Sequence, residues 1–183
     1  LDRILFYGID VHTMTLSHRS ERDIMLPKGT GPRHFVFQPG NAHRMYVVCE
    51  LSSEVFAVNI LKEGCQILQR ISPLSSPNDK SSCAAIKCSE DGRFLYVSNR
   101  GDDSIAVFRI DPKNGLLHLV QIEKAGGRTP RDILVLKDML LSANQDSNTI
   151  TYFYRNEDTG ILTRRTGETS CHAPVCLTAV PTA

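Results

Sequence analysis

The sequence predicts an all-β fold built from repeated four-stranded antiparallel sheets. The stretch VSNRGDDSIAVFRID, residues 97–111, recurs 45 positions later as SANQDSNTITYFYRN, residues 142–156, and earlier in weaker form as VCELSSEVFAVNI, residues 48–60. The segments around each copy are short, rich in Val, Ile, Phe and Tyr, and bounded by Gly, Asn, Asp or Pro, which is typical of β-strands. A period of roughly 45 to 50 residues with four strands per period is the pattern of a β-propeller blade.

The strands group into successive blade-like units of one domain, a partial propeller over residues 1–183. The units are predicted at residues 1–31, 32–83, 84–129, 130–173 and 174–183, of which the first and the last are incomplete. The stretch DILVLKDMLLSA, residues 132–143, also has helical periodicity. We nevertheless predict two strands there, because Asn144 then falls where Asn99 falls in the preceding unit.

Composition and charge exclude several classes of protein. The 183 residues are 41% hydrophobic and 22% charged, as in an ordinary globular domain. The formal net charge is +1 and the basic residues are spread along the chain, so neither nucleic acid nor an anionic membrane is an expected partner. There is no run of about 18 apolar residues and no secretory signal, which predicts a cytoplasmic protein.

The cysteines predict neither a metal site nor a disulfide framework. The six are Cys49, Cys65, Cys83, Cys88, Cys171 and Cys176. None forms a C-x-x-C pair, and the two C-x4-C pairs are about 88 residues apart, unlike the paired knuckles of zinc sites. A chain large enough to be held by a core and without a secretory address favours reduced thiols. No G-x-G-x-x-G motif or P-loop follows a strand, so no cofactor is expected.

Several motifs together resemble a known family. They are GTGPRHFVFQPG, YVVCELSS, EDGRFLYVSNRGDDSIAVFRID, GGRTPRDILV, SANQDSNTITYFYR and APVCL, in that order along the chain. As a set they resemble the seven-bladed propeller lactonases, the 6-phosphogluconolactonase type that is related to fungal muconate cycloisomerases. Members are roughly twice as long, so the resemblance covers their C-terminal portion and implies about four of seven blades. It implies a lactone hydrolase acting on 6-phosphogluconolactone or a similar sugar lactone.

Strand direction predicts where the functional side chains meet. In a four-stranded antiparallel blade, the start of the innermost strand lies at the same end as the corner between the second and third strands. This places one set of side chains around the channel mouth: Pro32, Arg33, His34, Glu50, Arg100, Arg131, Asp132 and Gln145. Lactone hydrolysis needs a base for water, a donor for the oxyanion and cationic forks for a phosphate.

The resemblance implies roles for five of these residues. Glu50 and His34 are the acid/base candidates, and Arg33, Arg100 and Arg131 hold the anion, with Arg100 as the third catalytic candidate. Arg33 and Arg131 are thus substrate-binding candidates, and Gln145 joins them through its place at the repeated corner. Glu50 ranks slightly above His34 as the base, because a carboxylate between arginines stays ionised.

Other interpretations of the same residues remain open at this stage. Arg33, His34 and Arg131 precede inner strands, where such side chains often bind loop carbonyls, and Glu50 with Arg100 could be an interblade salt bridge. Cys49, Ala85 and Glu90 depart from the family pattern. The alternatives are therefore a non-catalytic scaffold or an inactive lactonase fragment. Partners predicted besides the lactone are a second copy or another chain that completes the ring.

Overall fold

The computed structural model describes residues 2–77 and 80–180, and most of them are in β-strands. Two short antiparallel ribbons come first in the chain. One pairs β1 (Arg3–Ile4) with β4 (Ile24–Met25), and the other pairs β2 (Tyr7–Asp10) with β3 (Thr15–His18). A 3-10 turn, Ser20–Arg22, precedes β4. This segment corresponds to the incomplete unit predicted at residues 1–31.

Three four-stranded antiparallel sheets follow, each with its strands in chain order. The first blade is β5 (Pro32–Gln38), β6 (Asn41–Cys49), β7 (Glu54–Ile60) and β8 (Cys65–Ile71). The second blade is β9 (Ser82–Cys88), β10 (Phe94–Arg100), β11 (Ser104–Ile110) and β12 (Leu117–Lys124). The third blade is β13 (Pro130–Val135), β14 (Met139–Asn144), β15 (Thr149–Arg155) and β16 (Leu162–Ser170). The predicted all-β architecture is confirmed, and residues 132–143 form strands rather than a helix.

The segment after the third blade forms no strand in its described part. The unit predicted at 174–183 is described up to residue 180, and Leu177 N donates a hydrogen bond to Asp132 Oδ2 at 2.8 Å. An inner strand needs a second strand to complete its ladder. No such strand follows within the described residues, so the assignment of this segment to a further blade stays a prediction.

The repeated corner between the second and third strands has a backbone reason. Its last residue is Ser53, Asp103 or Asn148, and all three have left-handed backbone angles, with φ of 51°, 52° and 57°. Asn and Asp tolerate this conformation better than most residues. Gly101, in the second copy, has φ of 84°, and a Cβ there would lie 2.1 Å from the Lys80 carbonyl oxygen. The sequence therefore repeats because each blade makes the same tight reversal.

Alternate residues of each strand pack against the two neighbouring sheets. Between the first and second blades lie Tyr46, Val48, Leu95, Val97 and Phe108, all fully buried. The interface between the second and third blades contains Tyr96, Ile105, Ile133, Leu140 and Phe153. The inner strands β5, β9 and β13 are neighbours. The starts of these strands therefore come together at one end of the molecule.

Two polar side chains fasten each blade to the next one, and we call each such pair an interblade clip. In the first clip, Tyr46 Oη donates to Gly115 O at 3.0 Å, and Gln69 exchanges two hydrogen bonds with the backbone of Leu117. The second clip repeats it with Tyr96, Gly160, Gln121 and Leu162. Each clip pairs backbone groups at the blade boundary that would otherwise need another partner.

We expect Tyr96→Phe to lower the free energy of unfolding by about 2 kcal/mol. The buried hydroxyl donates to Gly160 O at 2.9 Å and accepts from Arg155 Nε at 2.8 Å, so its removal strands one acceptor and one charged donor. Urea unfolding followed by far-ultraviolet circular dichroism measures the change. Tyr154→Phe, at a ring that is half exposed, is the matched control. A change no larger than that of the control would contradict a stabilising role for the clip.

Candidate active site

Two β-bulges aim arginines at the end of the molecule where the inner strands begin. Pro32 pairs with Cys49 and His34 with Val48, so Arg33 between them has no partner in β6. In the third blade the same irregularity leaves Arg131 unpaired between Pro130 and Asp132. A bulge turns a side chain out of the regular alternation, and bulges are common beside active sites. The dipeptide Pro-Arg is the sequence signal that both places share.

Glu50 forms ion pairs with two arginines at the centre of the site, and we call the three residues the central ion pair. Arg100 Nη2 donates to Glu50 Oε1 at 2.6 Å, and Arg33 Nε lies 3.5 Å from Glu50 Oε2. Both arginine side chains are only 15% exposed, whereas the Glu50 side chain is 38% exposed. The hydrogen bond from Arg100, together with the charges of Arg100 and Arg33, holds the pKa of Glu50 below its usual value despite partial burial. Glu50 is therefore a carboxylate at neutral pH.

The same arginines also join the first two blades through backbone oxygens. Arg33 Nη1 donates to Ala84 O at 2.7 Å, and Arg100 Nη2 donates to Cys83 O at 3.2 Å. Both acceptors lie in β9, the inner strand of the second blade. The contact of Arg33 with Ala84 O agrees with the alternative in which this arginine binds a backbone carbonyl. The ion pair between Glu50 and Arg100 likewise joins two blades, as the alternative of an interblade salt bridge predicts. Structural and chemical roles therefore coexist in these side chains.

His34 lies beside the ion pair on β5. Arg33 Nη1 is 3.0 Å from His34 Nδ1 and 3.3 Å from Nε2. Partial burial and the charge of Arg33 lower the pKa of His34 below the ordinary value of 6.5. The imidazole is therefore neutral at pH 7 and has one nitrogen that can accept a proton.

Arg131 and Gln145 form a second, adjacent pair within the third blade. Arg131 Nη1 donates to Gln145 Oε1 at 3.2 Å, and Gln145 begins the 3-10 turn Gln145–Ser147 at the corner. The positive charge of Arg131 helps to lower the pKa values of both Glu50 and Arg33. The pair thus lies close to the central ion pair without a direct hydrogen bond to it. The structure brings all six predicted residues to one end of the molecule.

Open space flanks the ridge formed by Arg33, His34 and Phe35. A cleft of about 340 Å³ on one side is completed by Ile86 and Lys87. A smaller cleft of about 150 Å³ on the other side includes Arg3.

A larger cleft lies at the corner of the first blade. Its volume is about 580 Å³, and it is lined mainly by serines together with Glu54. Its described lining offers an acid but no cation for an oxyanion. We therefore place the candidate active site at the Arg33 ridge rather than in the serine-lined cleft.

The comparisons with known proteins agree with this architecture. Residues 1–179 match the family model described as "Lactonase, 7-bladed beta-propeller". The chain belongs to the seven-bladed β-propeller lactonase family. The Bacillus subtilis 6-phosphogluconolactonase is 36% identical over 154 residues, which cover 81% of this chain and 44% of that protein. The Formosa agariphila protein of the same name is 41% identical over 143 residues, covering 76% of this chain and 40% of the relative.

A solved structure extends the family relationship to three dimensions. The Pseudomonas aeruginosa periplasmic gluconolactonase PpgL superposes with a TM-score of 0.89 at 28% identity, covering 98% of this chain and 52% of that one. The chain thus spans less than half the length of the two curated lactonases and about half of the solved one. Three blades and two ribbons are consistent with that share of a seven-bladed ring.

The structure brings two further charged residues, Lys87 and Asp132, close to the candidate active site. Lys87 Nζ lies 3.9 Å from Asp132 Oδ1, which joins the second and third blades beside His34. The sequence places Asp132 at this end without a function, and sequence reasoning misses Lys87. The sequence feature that could have indicated Lys87 is a lysine inside the otherwise small and apolar run CAAIKC, residues 83–88.

Over residues 2–77 and 80–180, no group of three or more His, Cys, Asp or Glu side chains is placed to hold a metal ion. Within those ranges no helix is long and apolar enough to cross a membrane.

Proposed function

We propose that this lactonase-family chain hydrolyses a sugar lactone, 6-phosphogluconolactone or a close analogue. The observation that carries the proposal is the cluster at the channel end, where His34 adjoins the Arg33–Glu50–Arg100 ion pair. Attack of water on a carbonyl requires a base, which a neutral imidazole can supply, and a donor for the oxyanion, which a fixed arginine can supply. The adjacent cleft gives space for the substrate. The names of the relatives supply the substrate class.

His34 is the better candidate for the base, in contrast to the ranking from sequence. Both oxygens of Glu50 face arginines, and its lowered pKa makes it a weak proton acceptor at neutral pH. A base works best when its pKa lies near the working pH, and the ordinary pKa of an imidazole, 6.5, lies nearer to neutrality than that of a carboxylate, 4.5. Glu50 then serves as a positioning residue that fixes Arg33 and Arg100.

The proposed steps conserve protons. His34 takes a proton from water as the water oxygen bonds to the lactone carbonyl carbon, and Arg100 stabilises the oxyanion. When the intermediate collapses, the bond to the ring oxygen breaks and His34 returns its proton to that oxygen. A neutral imidazole has a single free lone pair, which Arg33 approaches in the free protein. A bound anion that attracts Arg33 frees that lone pair.

A non-catalytic scaffold is the second candidate, and the bonds from Arg33 and Arg100 to carbonyls of β9 support it. Exposed apolar side chains near the first blade, among them Tyr7, Ile9 and Phe35, give a surface on which further blades could pack. We propose that the rest of the ring, in a longer form of this chain or in a second copy, covers them.

Turnover separates the two candidates. The purified 183-residue chain is incubated with phosphorylated gluconolactone, spontaneous opening is subtracted, and the mass is measured in the same sample. We expect hydrolysis above the background, and we expect Arg100→Gln to lower kcat about a hundredfold because one oxyanion donor is lost. A folded, monodisperse chain without turnover would favour the scaffold.

A further inference from the structure

Lys87 is the unusual residue of the inner strands. It pairs with Tyr96 across β9 and β10, just as Val36 pairs with Tyr46 in the first blade and Leu134 with Leu141 in the third. Two blades therefore have an aliphatic side chain at this position, and only the second blade has a charge there. The fold itself does not call for a lysine at this place.

The ammonium group of Lys87 is only loosely held. Its ion pair with Asp132 Oδ1 is 3.9 Å long, and the other Asp132 oxygen accepts a hydrogen bond from Leu177 N. The side chain is 42% exposed and lines the 340 Å³ cleft together with Arg33 and His34. A long, half-exposed pair of this kind contributes little to stability. The ammonium can therefore turn to a ligand at small cost.

The surroundings of this cleft carry an excess of positive charge. Four cationic side chains converge on this end, whereas two carboxylates face them. The cations are Arg33, Lys87, Arg100 and Arg131, and the carboxylates are Glu50 and Asp132. The excess is larger than the net charge of the whole chain, which is +1. Crowding of like charges around a cleft is relieved when an anion binds there.

We propose that Lys87, together with Arg33, binds the phosphate group of a phosphorylated lactone and thereby sets the preference for anionic over neutral sugar lactones. The inference rests on the proposed function and adds a specificity residue to it. A closed lactone has no free carboxylate, so its phosphate is the anion available to this cleft. Arg33 offers a positive charge that Glu50 and Ala84 O hold in place, and Lys87 offers a mobile point charge, a combination that can bind phosphate oxygens.

The neighbouring cleft provides the internal comparison. It shares Arg33 and His34 but has Arg3 in place of Lys87, and its volume is less than half as large. The larger cleft has room for the sugar ring as well as its phosphate. Arg3→Gln therefore removes a positive charge from the same ridge without touching the proposed phosphate site.

Binding and turnover are measured on the full 183-residue chain. Calorimetric titrations use 6-phosphogluconate, gluconate and inorganic phosphate, and rates are measured on phosphorylated and unphosphorylated gluconolactone. We expect Lys87→Gln to weaken 6-phosphogluconate binding, and to raise KM for the phosphorylated lactone, about tenfold, as for one lost charge-assisted contact. In Lys87→Gln we expect gluconate binding, and kcat for the phosphorylated lactone, to stay unchanged. We expect Lys87→Arg to keep most of the affinity for 6-phosphogluconate. Arg3→Gln and Lys124→Gln, the latter at a side chain that is 73% exposed, behave like the unaltered chain.

The outcomes separate the two proposals. Equal losses for 6-phosphogluconate and gluconate, or no loss for either, would overturn the role of Lys87 even if the chain hydrolyses lactones. Loss in Arg3→Gln instead would move the phosphate to the smaller cleft and also overturn it. Lys87-dependent binding of 6-phosphogluconate without any turnover would support the phosphate site and refute lactone hydrolysis by this chain.

Discussion

Replacing His34 with asparagine is expected to reduce kcat for lactone hydrolysis about a thousandfold, because the proposed proton acceptor is removed while a side chain of similar shape remains. Far-ultraviolet circular dichroism should be unchanged, since His34 lies outside the clusters of buried residues. His12→Asn, in the exposed turn between β2 and β3, is the matched control and should keep full activity. A loss below tenfold would remove His34 from the mechanism.

The pH dependence of the unaltered chain provides an independent check of the same assignment. The pKa of His34 is lowered from 6.5, so the imidazole stays in its neutral, proton-accepting form throughout the neutral range. We expect kcat/KM to be flat above about pH 6.5 and to fall as the pH drops through the His34 pKa. If Glu50 were the base, its lowered pKa would move that fall below pH 4.5. A midpoint between pH 4.5 and 6.5 would therefore assign the proton acceptor to His34 rather than to Glu50.

Glu50→Gln is expected to have the second large effect, on both activity and stability. Without the carboxylate, two arginines that are each 15% exposed face one another with no counter-charge. We expect a loss of about 1 to 2 kcal/mol in the free energy of unfolding, less than for a buried pair because Glu50 is 38% exposed. The rate should fall by more than about a hundredfold, because Arg33 and Arg100 both lose their fixed positions.

Glu54→Gln is the matched control for that variant. Glu54 lies in the same blade and forms its ion pair with Arg70, which lies on the outer strand β8. The same chemical change there should leave the rate unaltered. A similar loss of rate in both variants would show that Glu50 acts only through general stability.

The sequence was sufficient for the blades but not for the aim of their side chains. The repeated corner predicted three whole sheets, and antiparallel order predicted that Arg33, Glu50 and Arg100 meet. The bulges at Arg33 and Arg131 could not be predicted, because they depend on which residue of each inner strand is left without a partner on the neighbouring strand.

The position of Lys87 was hidden for the same reason. Its equivalence to Val36 and Leu134 is visible only in the strand register. The choice between Glu50 and His34 likewise needed the distances to Arg33 and Arg100. Spacing along the chain predicts which residues are close within one blade. The chemistry of the candidate active site depends on contacts between residues of different blades.

The two interblade clips show that successive blades are joined by the same hydrogen bonds. The first and second blades supply the same tyrosine and glutamine, and the second and third blades receive them through the same backbone groups. A duplicated blade would thus bring its own fastening with it, so a ring of such units can gain members in evolution without new joints. The third blade departs from this standard, since Leu141 stands where Tyr46 and Tyr96 stand. A blade packed after the third one would need a different contact at this position.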